Sequence, residues 1–321
     1  MNWKPGADLA TLQARAKLLA DIRAFFAERK VLEVETPLMA SAGVTDPHLV
    51  NFTTQLHQPG SQQARTLYLQ TSPEYAMKRL LCAGSGCIYQ ICKAFRNEEQ
   101  GRFHNPEFTM LEWYRVGFDH WQLMREMQDL LQPILACDEF EQLSYQQAFQ
   151  HYLGFDPLSD SDEQLRELCI EQGYENFADS MTSRDTQLQL LFSHLIEPQI
   201  GQTSPCFIYH FPASQAALAQ ISGQDPRVAE RFELYYKGIE LANGFHELQS
   251  ADEQEKRFAQ DNQERLEMGI DAAKTDSHFL AALNSGLPDC AGVALGLDRL
   301  LMLIQAHSDI DNVLSFSHSR A

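Results

Sequence analysis

Apolar residues recur at helical spacing through residues 11–30, where Leu12, Ala16, Leu19, Ile22 and Phe26 alternate with Lys17, Asp21 and Arg29. This predicts an amphipathic helix. Val31 to Thr36 then reads as a strand stopped by Pro37, which cannot donate to a ladder. A second strand starts at Leu67 and runs into Thr71-Ser72-Pro73-Glu74, the residue order of an N-cap serine, a first-position proline and an acid in the first turn. From Asp138 to Gly201 the chain is rich in Gln, Glu, Asp and Leu, with Leu165, Leu168 and Ile170 and then Leu188, Leu191 and Leu195 at helical spacing. It predicts a mainly helical insertion without a titratable cluster. Strands return at Cys206–Pro212 and in RFELYYKGIELANGFHEL, where Lys237-Gly238 turns the chain so that Glu233 and Glu240 come near one another. A helix charged on most faces, 252–268, follows, and Gly292 to Arg299 reads as a strand passing into a helix.

Within this frame, Phe95 to Tyr114, FRNEEQGRFHNPEFTMLEWY, predicts two strands joined by a charged loop. In extended chain Arg96 and Glu98 share one face, as do Glu112 and Tyr114, and the loop adds Arg102, His104 and Asn105. Such a surface suits a ligand with phosphate at one end and a cation at the other. Elsewhere single motifs stay ambiguous. Glu74 serves either a helix dipole or a substrate ammonium, and Glu233 with Glu240 is either a magnesium pair or two surface acids on a hairpin. Glycines four apart, Gly292 and Gly296, mark close approach by a ligand or another backbone, and Arg299 stands where a helix N-terminus and a bidentate fork can meet phosphate.

Composition narrows the partners. The chain has 321 residues, 44% hydrophobic and 21% charged, the profile of a soluble globular protein, and carries a net charge of -19. That balance disfavours a large nucleic-acid footprint, since such binding depends on cations meeting phosphates. Seven cysteines without a C-x-x-C pair read as reduced thiols. No run reaches the ~20 apolar residues that span a bilayer, and the N-terminus lacks an apolar signal core, so a cytoplasmic protein without a membrane partner is expected.

Taken together and in order, these segments resemble the catalytic domain of class II aminoacyl-tRNA synthetases. The helix and strand ending at Pro37 look like motif 1, Phe95-Arg96-Asn97-Glu98 with its loop like motif 2, and Gly292 to Arg299 like motif 3. The TSPE, HNPEFTMLEWY and ELANGFHEL blocks narrow the likeness to the lysyl branch, and coverage runs from about residue 11 to the C-terminus. The resemblance implies an α+β fold, an antiparallel sheet flanked by helices, as a single catalytic domain over 1–321 with the 138–201 insertion. It also implies a homodimer through motif 1.

Two departures bear on the reaction. Lysyl-tRNA synthetases carry an anticodon-binding domain before motif 1, whereas motif 1 here begins about ten residues in. A free-standing lysyl-type domain of this kind is similar to the elongation factor P lysine ligases, which attach a β-lysyl group to a lysine side chain of that factor. Ala294 stands where lysyl-tRNA synthetases usually have glycine, and its methyl is expected to reshape the wall near the substrate's α and β carbons.

The resemblance implies activation of lysine or (R)-β-lysine by ATP as an aminoacyl adenylate. By it, Arg96 bridges the substrate carboxylate and the α-phosphate, Arg299 meets the γ-phosphate end, and Mg2+ sits on Glu233 and Glu240. Asn97, Glu98, His104, Asn105, Leu241 and Gly296 complete the ATP site. Glu247 and Tyr114 match the distal ammonium; Ser72, Glu74, Glu112 and Asn243 match the amino group nearer the carboxylate. A minimal enzyme charging tRNA and a non-catalytic regulatory paralogue are the alternatives. The acidic charge argues against stable tRNA binding, and the phosphate-binding residues Arg96, Glu98, Glu240 and Arg299 argue against loss of catalysis.

Overall fold

The computed structural model describes residues 3–60, 63–175 and 183–321. They form two compact units, one from residues 1–118 with 248–321 and one from 119–247.

The first unit opens with helix α1 (Leu9–Glu28), capped by Asp8, whose carboxylate accepts from the Thr11 amide at 2.8 Å. Its buried residues are Thr11, Leu18, Ile22 and Phe26, one position off the expected Leu12, Ala16 and Leu19 at the start of the helix. The cause is polar. Arg15 lies on the buried side and forms a 2.5 Å ion pair with Asp298, which is 1% exposed. Phe26 then stacks on Tyr89 at 4.4 Å and meets Trp113 edge-on.

Strand β1 (Leu32–Glu33) covers less than the expected 31–36, because its ladder with β5 (Ile88–Phe95) holds only two register pairs. β5 pairs antiparallel with β6 (Glu107–Val116), and β6 antiparallel with β11 (Cys290–Gly296). A small sheet in the order β2 (Met39–Ala40), β4 (Ala64–Leu69), β3 (Thr53–His57) lies in the same unit. The helices are α2 (Glu74–Cys82), α7 (Ala251–Glu267), α8 (Ser277–Ser285) and α9 (Leu297–Ile304). The TSPE reading needs correction: Pro73 itself is the N-cap, at ψ 3°, and Ser72 makes no capping hydrogen bond. Helix α7 is charged outside as expected, but Gln254 and Phe258 are buried, and Phe258 meets the Tyr75–Phe279 stack.

The second unit contains α3 (His120–Leu135), β7 (Glu141–Ser144), α4 (Tyr145–Leu153), α5 (Asp162–Glu171), α6 (Arg184–Leu191), β8 (Cys206–Tyr209), β9 (Arg231–Tyr236) and β10 (Ile239–His246). Its strands run β10-β9-β8-β7, antiparallel except for the parallel β8–β7 pair. The predicted insertion is therefore mainly helical but begins with a strand. Leu165, Leu168, Leu188 and Leu191 are buried around Tyr145 and Phe149, whereas Ile170 is exposed, since the inward position beside Leu168 is taken by Cys169. Residues 176–182 of that insertion lie outside the described residues. Lys237 and Gly238 both have positive φ, 52° and 68°, the pattern of a tight two-residue hairpin turn whose twist matches the strands. Each unit thus builds an antiparallel-dominated sheet flanked by helices, an α+β class as expected.

Candidate active site

β6 carries the polar pair that its alternation predicts. The Tyr114 hydroxyl donates to Glu112 Oε1 at 2.7 Å, and each residue is 2% exposed. Register places Gln90 and Ala294 on either side of Glu112, and Ile88 and Gly292 on either side of Tyr114. The smallest side chains of β11 thus stand beside the two polar residues, which leaves room on that face. Gln90 Oε1 is buried without a partner. A buried acceptor next to a buried carboxylate is a setting for an ammonium donor.

The chain leaves the sheet after Phe95, so the expected extended pairing of Arg96 with Glu98 does not occur. Glu98 is exposed and left-handed, at φ 67°, its amide bonded to the Asn97 side-chain oxygen at 3.0 Å. Asn97 is tied by its amide to the Val50 carbonyl. Arg96 lies 5.2 Å over the Phe108 ring and 3.6 Å from Glu99, and its Nε is buried without a partner. An unmatched guanidinium N–H inside the protein fits an incoming phosphate or carboxylate oxygen. Beyond it, Gly101 and His104 exchange two backbone hydrogen bonds at 3.1 Å, closing a turn with Arg102 and Phe103 at its tip. Asn105 donates to the Glu107 carbonyl and accepts from the His318 amide.

Arg299 sits in the first turn of α9, three residues after the N-cap Gly296. It donates to the Phe103 carbonyl at 3.2 Å and meets His104 Nε2 at 2.6 Å, so motif 3 and the motif 2 loop are brought together. Asp298, its neighbour, accepts from Arg15 and, at 2.6 Å, from the Thr109 amide. Arg15 and Asp298 escaped the reading of the sequence. The available signal was a charged residue in step with Thr11, Leu18, Ile22 and Phe26 on an otherwise apolar face.

In the second unit Glu233 stands opposite Asn243 and Glu240 opposite Tyr235, diagonal positions on one hairpin. Glu233 is not a surface acid: it is buried and bonded to Arg231 at 2.5 Å and to the Tyr235 hydroxyl. Burial raises its carboxyl above the usual carboxylate range, Arg231 draws it down, and the neighbouring charge of Glu240 raises it again. Two mutually repelling carboxylates with oxygen-only donors fit a hard divalent cation. Leu241 is the extra residue of a β-bulge between Glu240 and Ala242, which removes its backbone from the β9 ladder. Asn243 accepts from Arg231 at 3.3 Å, and Glu247, 1% exposed, follows the end of β10.

At α2, Glu74 pairs with Lys78 at 2.7 Å, and that lysine is fully buried. The first-turn acid is thus held by a cation four residues on. Ser72 lines a cavity of about 140 Å³ together with Gln70, Thr71, Tyr75 and Asp276. All seven cysteines are free thiols, as expected. No helix among the described residues is long and apolar enough to cross a membrane.

The family model for class II tRNA synthetases (D, K and N) matches residues 6–320. Proteins named elongation factor P--(R)-beta-lysine ligase are similar over their whole length. That of Salmonella arizonae is 57% identical over 320 residues, 100% of this chain and 98% of the relative. That of Vibrio cholerae is 58% identical over 320 residues, 100% and 99%, and that of Vibrio vulnificus 59% over 315 residues, 98% of each.

Proposed function

The chain belongs to the class II tRNA synthetases of the D, K and N group, and on that footing we propose that it is an ATP-dependent ligase. It activates (R)-β-lysine, or lysine, and transfers it to a lysine side chain of elongation factor P, as the names of its relatives state for them. The observation that carries this reading is the buried Glu112–Tyr114 pair with Ala294 directly across from the carboxylate.

In the first step a carboxylate oxygen of the amino acid attacks the α-phosphorus of ATP. The bond from that phosphorus to the α,β-bridging oxygen breaks, giving an aminoacyl adenylate and pyrophosphate. Charge spreads over the phosphoryl oxygens, so preorganised donors are what the protein supplies. Arg96, with its unmatched Nε, bridges carboxylate and α-phosphate, and Arg299 meets the γ-phosphate end. Asn97, Glu98, His104, Asn105, Leu241 and Gly296 position the nucleotide. Glu233 and Glu240 are the residues that would hold Mg2+, which when bound neutralises phosphate charge. Glu247 and Tyr114 receive the distal ammonium of the substrate, and Ser72, Glu74, Glu112 and Asn243 the amino group nearer the carboxylate.

In the second step the neutral amine of the acceptor lysine attacks the activated carbonyl. The carbon–oxygen bond to AMP breaks, an amide forms and the amine loses a proton. An adenylate is a good acyl donor, so no dedicated protein nucleophile is needed.

We read residues 1–321 as one catalytic domain with 138–201 inserted, acting in the cytoplasm. A C2 homodimer fits the exposed apolar side chains of the motif 1 region, Leu32, Leu38 and Met39. The net charge of -19 supports a protein acceptor over stable tRNA binding. The test offers radiolabelled (R)-β-lysine and ATP with elongation factor P or with tRNA. Label on the factor alone is expected; label on tRNA alone, or no adenylate at all, overturns the reading.

A further inference from the structure

The second unit gathers three ligand-bearing side chains that the reaction above does not use. His120 is the first residue of α3, Glu230 immediately precedes β9, and His246 ends β10. A ring nitrogen from each histidine and a carboxylate oxygen of Glu230 all lie within 4.8 Å of one another. Glu230 Oε2 is 2.5 Å from His246 Nδ1 and 3.7 Å from His120 Nδ1. In a tetrahedral site with bonds of about 2.0–2.1 Å, neighbouring ligand atoms stand about 3.3 Å apart. The two distances bracket that value, so small side-chain shifts close the site.

A hydrogen-bonded cluster without an ion explains the Glu230–His246 contact but not His120. That residue is 2% exposed, and neither of its ring nitrogens has a hydrogen-bond partner. Buried imidazoles ordinarily satisfy at least one nitrogen. A ligand bond supplies what His120 lacks. The N-terminal dipole of α3 disfavours a cation here, and the Glu230 and Asp119 carboxylates offset it.

The backbone places a further imidazole within reach. His210 holds φ at 58°, a left-handed conformation uncommon for a side-chain-bearing residue, and its ring centroid is 5.4 Å from that of His120. We propose that His120, Glu230 and His246 form a binding site for one divalent first-row transition ion of the zinc type, with His210 or water completing the coordination. Two imidazoles and one carboxylate suit zinc or cobalt far better than magnesium, which prefers oxygen donors. The ion would tie the start of α3 to the ends of β9 and β10. His246 directly precedes Glu247, and its carbonyl accepts from the Gln220 amide at 2.8 Å, so the clamp also fixes the strand end that presents Glu247.

The test uses the full chain, stripped with a chelator and returned to buffer with excess Mg2+ to fill any oxygen-only site. Co2+ is titrated in and followed by its visible absorption, then displaced by Zn2+. One equivalent of tetrahedral Co2+ without a thiolate charge-transfer band is expected, with Zn2+ raising the thermal midpoint. Glu230→Gln and His246→Gln should each weaken binding at least tenfold and abolish that thermal shift, with circular dichroism checking that each is folded. Should His246→Gln not fold, Glu230→Gln decides alone. No saturable binding, a thiolate band, or unchanged affinity in a folded variant overturns the site. Amino-acid activation need not be measured, so this result stands apart from that of the ligase reading.

Discussion

The Tyr114 hydroxyl donates to Glu112 at 2.7 Å within β6, between Gly292 and Ala294 on the neighbouring strand. The phenol thereby orients the carboxylate that is read as an amino-group partner. Tyr114→Phe leaves the ring and removes that donor, at a cost of about 1–3 kcal/mol in a buried setting. Amino-acid-dependent pyrophosphate exchange should fall roughly 10- to 100-fold in kcat/KM, while the ATP affinity measured by calorimetry stays within about twofold.

Ala294 is the register partner of Glu112. Cβ atoms of such pairs lie about 4.5–5.5 Å apart, so one methyl on β11 alters the space beside the carboxylate. Ala294→Gly should move the ratio of kcat/KM for (R)-β-lysine over lysine by about 1 kcal/mol or more toward lysine. An unmoved ratio would remove Ala294 from the account of specificity.

Glu247 is 1% exposed and is assigned to the distal ammonium. Taking one charge away from a buried pair costs about 2–5 kcal/mol, because the other is left without its partner. Glu247→Gln is therefore expected to abolish lysine-dependent exchange while ATP still binds, which equilibrium dialysis with labelled ATP checks.

Glu240 repels Glu233 on the same hairpin, and a divalent cation bound as proposed would relieve that repulsion. Glu240→Gln should raise the Mg2+ concentration needed for half-maximal exchange at least tenfold. Chelation of Mg2+ should stop exchange in the parent protein. A magnesium titration of both proteins reads this directly.

Asp261 accepts from the buried Thr45 hydroxyl at 2.5 Å, and burial, reinforced by Asp46 and Glu264, raises its carboxyl to about 6. A carboxyl in the unfolded chain titrates near ~3.9. Between those values the folded state binds the extra proton, so stability falls as pH rises from about 4 to about 6 and levels off above. Asp261→Asn keeps an acceptor for Thr45 without the charge. It should be more stable than the parent above pH 7 by about 1–2 kcal/mol, a figure reduced for partial solvent screening. Urea unfolding at pH 4 and pH 7.5 checks whether the difference vanishes at the lower value.

The elements were largely legible because helix and strand periods differ and the punctuation was clear. Lys237-Gly238 announced the hairpin, and the alternation of Glu112 with Tyr114 announced a shared face. What was not legible depends on contacts between distant positions. The rotation of α1 is set by Arg15 reaching Asp298, and the departure of Glu98 from extended chain follows from the loop being closed by Gly101 and His104 and held by Arg299. Likewise, His120, Glu230 and His246 share no local spacing, and only the fold of the second unit brings them within 4.8 Å.

Arg15 and Asp298 stand 283 positions apart in sequence, yet their pair anchors the residue next to Arg299. Contacts of such separation are slow to form, because a long loop must close before they bring any gain. Until residue 298 is available, α1 carries an arginine on its buried side without this partner. The pair is therefore among the later long-range contacts of α1. The first turn that carries Arg299 is thus joined to α1 only after the two ends of this long loop have met.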